Sequence, residues 1–403
     1  MKYGVGIDVS KGKSTIAILS FDGVCMVKPF DIKHTVEGFN VLENVLSKFN
    51  KDDLKIVMEE TGIYHLPIYT YLLEHDYLVY AENALKIKKY LDRGIRKVKT
   101  DKKDALKLAN YACDNWKYLD TKFQESKIYT DMRFLARQYN SFVSILAQQK
   151  VHFSNFCDLS FPGFYQLLDS NNFRLGIVIF RTYFHPDIVK QKSQSQFIEE
   201  VDFIAKELGH RTVGITLAKK IYNFAHSSFA PRPVDDYSKL IAAELSDTLL
   251  KSIKASDDII SKLTSLAKSL PEFNIVSKMP GCGEKLTPLI IAEIGDIRRF
   301  NNAGSLIAYA GIDAPPYQSG TFEASNRHIS KRGNKYLRSW GYMIMKALKN
   351  KKRKPCELQS FIFKKISEGK LNKVAMIAGF NKFLRIYYGK VRQCYKKLEN
   401  QDS

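Results

Sequence analysis

No apolar stretch of this chain approaches the roughly 18 residues that a membrane-spanning helix needs. The first residues enter a strand-like pattern without the charged, apolar and small-residue zones of a signal peptide. The six cysteines (Cys25, Cys113, Cys157, Cys282, Cys356, Cys394) lie far apart, with no CxxC pair. That spacing argues against a zinc site and suggests a reducing, cytoplasmic setting. The eight histidines are scattered and form no HExxH, so any metal site must be built from carboxylates. Acids are in the minority: 42 Asp and Glu face 63 Lys and Arg, a formal charge of +21. Such an excess attracts a polyanion, commonly nucleic acid and less commonly a membrane surface. Internal repeats and low-complexity segments are missing as well. With 45% hydrophobic and 26% charged residues, the composition is that of a soluble globular protein of two or three domains.

Apolar spacing organises what is there. Residues 2–29 read as three strands: "YGVGIDV" alternates, "STIAILS" is rich in β-branched residues, and "VCMVKPF" follows the turn "FDG". "TVEGFNVLENVLSKF" has helical spacing, "LKIVMEE" reads as a strand, "HLPIYTYLLEHD" as a helix and "YLVYAEN" as a strand. A basic stretch, "ALKIKKYLDRGIRKVKT", leads into the helix "DKKDALKLANYACDN". This order predicts an α/β domain over residues 1–120. Two long helical patterns, 125–157 and 237–270, flank an aromatic, proline-broken middle (158–235) that reads as irregular. Together they predict an antiparallel, coiled-coil arm over 121–270. After Pro271 come a helix, a tight glycine turn ("MPGCGEK") and a second helix, then a loop and a basic helix, making 271–350 mostly helical. A basic helical tail covers 351–403. The fold class is thus α/β plus all-α.

The stretch "GVGIDVSKGKST" nearly spells a phosphate-binding loop. Five residues separate Gly6 from Gly12, where that loop requires four, and "STIAILS" continues as a strand instead of a helix. A hairpin with Asp8 at the end of the first strand fits better, with Gly12 supplying the turn. An acid there suits the ribonuclease H fold, although sugar kinases and actin-like ATPases begin in a related way. Three further acids decide for the former. Glu59 or Glu60 ends the fourth strand, and Asp101 and Asp104 lie three apart on one helix face. Four such carboxylates would repel one another without a cation. Mg²⁺ or Mn²⁺ prefers these hard oxygen ligands, and two ions can stabilise the attacking and leaving oxygens at a phosphorus. Taken singly, Asp101 also suits a helix N-cap and Asp104 a first-turn acid.

The motifs "GIDVSK", "EETGIY" and "KTDKKDA" resemble the N-terminal half of the DEDD transposases of the IS-one-ten type. "MPGCGEKLTPLIIAEIGDIRRF", "SLIAYAGI", "QSG" and "ISKRGNKYLR" resemble the C-terminal half. The resemblance covers about residues 1–120 and 270–350. It implies a first domain similar to Holliday-junction resolvases of the RuvC type, with its metal-binding tetrad at Asp8, Glu59, Asp101 and Asp104. It implies a second domain whose catalytic nucleophile is Ser319, before Gly320. It also implies a bridge RNA that pairs with donor and target DNA, and a homo-oligomer, dimer or tetramer, that combines domains from different subunits. A nucleoid-associated location follows.

The basic motifs suit a nucleic-acid partner. Gly281 and Gly283 would let backbone N–H groups of a helix-hairpin-helix turn approach a phosphate. Lys88, Lys89, Arg93, Arg96, Lys97 and Lys99 stand beside the acids in sequence. Lys331, Arg332, Lys335 and Arg338 follow the serine loop. Such contacts give salt-dependent binding. Two other functions remain in view. One is a junction resolvase in which the tetrad activates water and Ser319 is a turn residue. The other is a non-enzymatic RNA- and DNA-binding scaffold.

Overall fold

A computed structural model of the chain describes residues 1–60, 62–91, 100–120, 125–210, 212–314, 318–319, 322–323, 328–350 and 355–400. The chain divides into two compact units, Met1–Gln124 and Glu125–Ser403.

The first unit is built on strands β1 (Tyr3–Ser10), β2 (Lys13–Ser20), β3 (Cys25–Lys33), β4 (Leu54–Glu59) and β5 (Val79–Glu82). They form one sheet in the order β3-β2-β1-β4-β5. The first three pair antiparallel through short turns, whereas β4 and β5 join in parallel. Parallel neighbours need crossovers. Helices α1 (Val36–Leu46) and α2 (Leu66–Glu74) provide them. This order and sense is compatible with the ribonuclease H-like expectation. Val5, Ile7, Val9, Ile56 and Met58 fill one core beneath the sheet. The opposite face is covered by α3 (Ala84–Leu91), α4 (Asp101–Asp114) and α5 (Trp116–Asp120), through Val57, Tyr80, Ile87, Leu108 and Leu119. Each fully buried aliphatic side chain contributes about 1.5–3 kcal/mol.

The second unit begins with α6 (Lys127–Ser160) and returns along α11 (Asp236–Lys268). At about 1.5 Å per residue each spans about 50 Å. Their sense follows from their contacts. Tyr129, Met132 and Ala136 at the start of α6 share a core with Ile260, Leu263 and Ala267 at the end of α11. Phe153 and Cys157 near the end of α6 share another with Ala242 and Leu249 near the start of α11. The pair is therefore antiparallel.

The middle segment is not irregular. It folds into α7 (Phe173–Thr182), α8 (Pro186–Lys190), α9 (Gln194–Glu207) and α10 (Val213–Ser227), packed around Phe161, Phe164, Phe180, Phe197 and Ile221. Most of its aromatic residues belong to this core, while Phe203 and Phe229 are exposed. The rest comprises α12 (Phe273–Ser277), α13 (Leu286–Ile294), α14 (Ala303–Ala310), the hairpin β6 (Gln318–Ser319) and β7 (Phe322–Glu323), α15 (Lys335–Leu348), α16 (Glu357–Ser367) and α17 (Asn372–Glu399). The residues read as a tail thus supply α16 and α17. Phe380, Phe383 and Tyr387 pack in the same core as α13 and α15. No helix among the described residues is long and apolar enough to cross a membrane.

Candidate active site

Two close approaches aim α4 at the sheet. A Cβ on Gly4 would stand 2.4 Å from the Ala109 carbonyl oxygen, and one on Gly6 would stand 2.1 Å from that of Ala105. Moving up β1 therefore means moving back along α4, toward its N-terminus. Asp8, two residues beyond Gly6 on the same face, stands at the end of β1 toward which Asp101 and Asp104 point the helix start. Thr100 caps that start, its hydroxyl accepting from the Lys103 amide at 3.3 Å. Asp101 is thus not the cap, and both acids lie in the first turn, where the helix dipole favours them.

Strand parity separates Glu59 from Glu60. Leu54, Ile56 and Met58 enter the core beneath the sheet, while Val57 meets Leu108 on the α4 face. Lys55 has the same parity as Val57 and donates to the Trp116 carbonyl at 2.8 Å. Glu59 follows on that face, beside Asp8, since Ile7 and Met58 are register partners. The Glu60 amide donates to the Glu82 carbonyl at 2.8 Å.

The four acids share one end and one face of the sheet, but their side chains do not gather. Asp101 reaches Lys13 at 3.5 Å, and Asp104, largely buried, lies 4.0 Å from Lys107. Among the described residues no three His, Cys, Asp or Glu side chains are grouped as a metal would require. The donor chemistry, hard oxygens around a shared strand end, fits a divalent cation. In this arrangement lysine ammonium groups supply the counter-charge to Asp101 and Asp104.

Sequence reasoning missed Glu82. It is buried at the end of β5, is the register partner of Glu59, and pairs with Lys86 at 3.5 Å. Its parity with Tyr80, which faces α4, was the available signal.

In the second unit Ser319 ends β6 and pairs with Phe322 of β7. Its side chain lies outside the described residues, as do Arg93, Arg96, Lys97 and Lys99. The flanks of its segment are stitched together. The Ser330 hydroxyl donates to Asp313 at 2.5 Å, and the Lys331 amide donates to the Gly311 carbonyl at 3.0 Å. Arg338 donates to the Ala310 and Gly333 carbonyls at 3.0 Å each, so its guanidinium fastens this base. Lys331, Arg332 and Lys335 are exposed, as are Lys88 and Lys89 on α3.

Beside this base lies a further polar group that the sequence did not disclose. The Asn334 amide donates to the fully buried Glu293 carboxylate at 2.6 Å, and its oxygen accepts from the Tyr336 and Leu337 amides at the start of α15. Burial pushes the Glu293 carboxyl above its usual range, against the pull of Asn334, Arg137, Arg133 and Arg299.

The glycine turn has two different positions. Gly281 is left-handed (φ +85°), and a Cβ there would press on Ile344 of α15 at 2.8 Å. Gly283 has nothing within 4 Å of that position and is exposed. The first serves helix packing, and only the second faces open space.

Two family models match the chain. One, described as a transposase of the DEDD IS110 type, covers residues 5–162, and the other, described as "Transposase IS116/IS110/IS902 family", covers residues 274–359. A pilin gene-inverting protein of Moraxella bovis is 32% identical over 33% of this chain and 42% of its own length. An insertion element IS116 protein of Streptomyces clavuligerus is 22% identical over 93% of this chain and 90% of its own length. A transposase for insertion sequence element IS1111A of Coxiella burnetii is 29% identical over 37% of this chain and 40% of its own length. The chain thus spans about two fifths of the first and third of these.

Proposed function

The chain belongs to the transposase family of IS110, IS116 and IS902, and from that premise we propose that it is a DNA recombinase that moves its own insertion sequence. The observation that carries the reading is the placement of Asp8, Glu59, Asp101 and Asp104 at one end and one face of a ribonuclease H-like sheet. The names of the relatives, a gene-inverting protein and a transposase, agree with a reaction that cuts and rejoins DNA.

Asp8, Glu59, Asp101 and Asp104 would hold Mg²⁺ or Mn²⁺. When bound, two such ions stabilise charge on the oxygens around a phosphorus. The acids' own work is to orient and to concentrate negative charge at one strand end. Ser319 is the nucleophile of this reading. Its oxygen bonds to the phosphorus of a DNA phosphodiester, and a deoxyribose oxygen leaves, taking up a proton. The bond from Ser330 to Asp313 ties together the two flanks of the serine segment. A homo-oligomer supplies the acids and the serine from different subunits. A bridge RNA from the element's non-coding end selects donor and target by base pairing, and the +21 charge suits both polyanions.

Strand exchange between donor and target plasmids tests the proposal, using purified protein, RNA transcribed from the element's flank, and Mg²⁺. Recombinant product that requires RNA and metal and disappears in Asp8→Asn supports it. Cleaved but unjoined DNA, formed without RNA, would turn the reading toward a resolvase.

A further inference from the structure

A cavity of about 390 Å³ opens between α3 and the C-terminal half of α4, lined by Lys86, Lys89, Tyr90, Tyr111, Asp114 and Asn115. Its size lies within the range of about 300–1,000 Å³ typical of small-molecule sites. The lining combines three chemistries. The first is cationic: Lys89 is exposed, and the Lys86 ammonium lies over the Tyr118 ring at 3.7 Å and the Tyr111 ring at 5.6 Å. The second is aromatic: the half-buried Tyr90 lines the cavity and rests edge to face on the buried Tyr111, with centroids 5.0 Å apart. The third is a fixed acceptor. The Tyr90 hydroxyl donates to Asp114 Oδ2 at 2.5 Å and accepts from the Asn110 amide at 2.9 Å. Asp114 is exposed and lines the cavity.

Lysines alone would suit any anion. An aromatic wall adds affinity for the flat face of a base, because stacking is open to every base. A carboxylate oxygen held in place adds a preference, because it accepts from an exocyclic amine. Adenine, cytosine and guanine carry that amine, and uracil and thymine do not. None of these six residues belongs to the proposed carboxylate tetrad. We propose that the cavity takes a single unpaired nucleotide, splayed from a bound strand, with an amine-bearing base against Asp114 and its phosphate toward Lys89. This rests on the reading of the chain as a nucleic-acid enzyme.

Short single-stranded RNA and DNA oligonucleotides, each with one 5-iodocytosine or one 5-iodouracil, test this by ultraviolet cross-linking to the full chain and peptide mapping. Iodinated bases couple to adjacent aromatic rings. The expected link is to the peptide bearing Tyr90, with iodocytosine at least five-fold above iodouracil. Whether the RNA or the DNA probe gives that link identifies the strand. Asp114→Asn should abolish the base preference while leaving total binding in place. Lys89→Glu, at an exposed position, should cut the cross-link about tenfold with an unchanged melting temperature. Cross-links that map elsewhere, or equal yields from the two bases that Asp114→Asn leaves equal, overturn the assignment while the wider reading stands. Failure of the chain to retard either probe on a native gel would defeat the wider reading itself.

Discussion

Gly6 of β1 lies so close beneath Ala105 of α4 that a Cβ on the glycine would stand 2.1 Å from the Ala105 carbonyl oxygen. The neighbour is helix backbone, which cannot swing aside as a side chain would. This contact fixes how deeply α4 sits on the sheet, and so where Asp101 and Asp104 stand relative to Asp8.

Gly6→Ala should therefore lower stability by about 1–3 kcal/mol, the range for overpacking a close-packed core. Urea denaturation reads this as a lower midpoint with an unchanged slope. An unaltered midpoint would show that α4 is not seated as described.

Strand parity places Glu59, and not Glu60, on the α4 face. Glu59→Gln should reduce metal-dependent DNA cleavage at least about a hundredfold, as loss of a ligand in a two-metal site would. Glu60→Gln should stay within a few-fold of the parent. Equal losses in the two variants would refute the assignment of roles by face.

Much of the first unit was readable because each of its signals is local. Alternation marks β1 and β2, and helical spacing marks α1 and α4, whose caps in the structure are Thr35 and Thr100. The pair of acids on α4 needed only helical spacing. The choice between Glu59 and Glu60 needed a core, because parity has no meaning until one face is known to be buried. The middle of the arm misled for a definable reason. Pro186 reads as a breaker, yet it stands in the first turn of α8 behind the His185 cap, where its missing N–H costs nothing. Pro162 follows the end of α6, and Pro231 and Pro233 precede α11, so all three punctuate helices instead of interrupting them. The roles of Gly281 and Glu293 are set by α15, far away in sequence, and no local pattern carries them.

Gly281 and Gly283 should behave oppositely. Gly281→Ala forces a left-handed backbone and a clash with Ile344, so its melting temperature should fall by several degrees. Gly283→Ala meets nothing and should melt with the parent. If the exposed backbone there contacts a phosphate, Gly283→Ala weakens DNA binding in fluorescence anisotropy without loss of stability. A stable Gly281→Ala variant would contradict the packing role.

Glu293 gives a pH signature. Its folded carboxyl is raised by burial, so the folded state holds its proton more tightly than the unfolded state does. Its contribution is present below the ordinary carboxylate value and declines as pH rises through the raised one. Glu293→Gln keeps an acceptor for Asn334 and removes the titration. The melting temperature of the variant minus that of the parent should increase from about pH 4.5 upward and then level off. A difference that is flat with pH would mean that Glu293 does not titrate above its ordinary range.

The central claim is that the acids of the first unit and the serine of the second serve one phosphoryl transfer. Covalent trapping tests it most directly. Protein, flank-derived RNA, Mg²⁺ and end-labelled element-junction DNA are incubated, denatured and run on a gel, alongside Ser319→Ala and Asp8→Asn. The account expects a protein-linked DNA band with the parent chain that is lost in both variants. Cleavage that yields free DNA ends, persisting in Ser319→Ala and lost only in Asp8→Asn, would contradict it, leaving a water-using nuclease in which Ser319 is a turn residue.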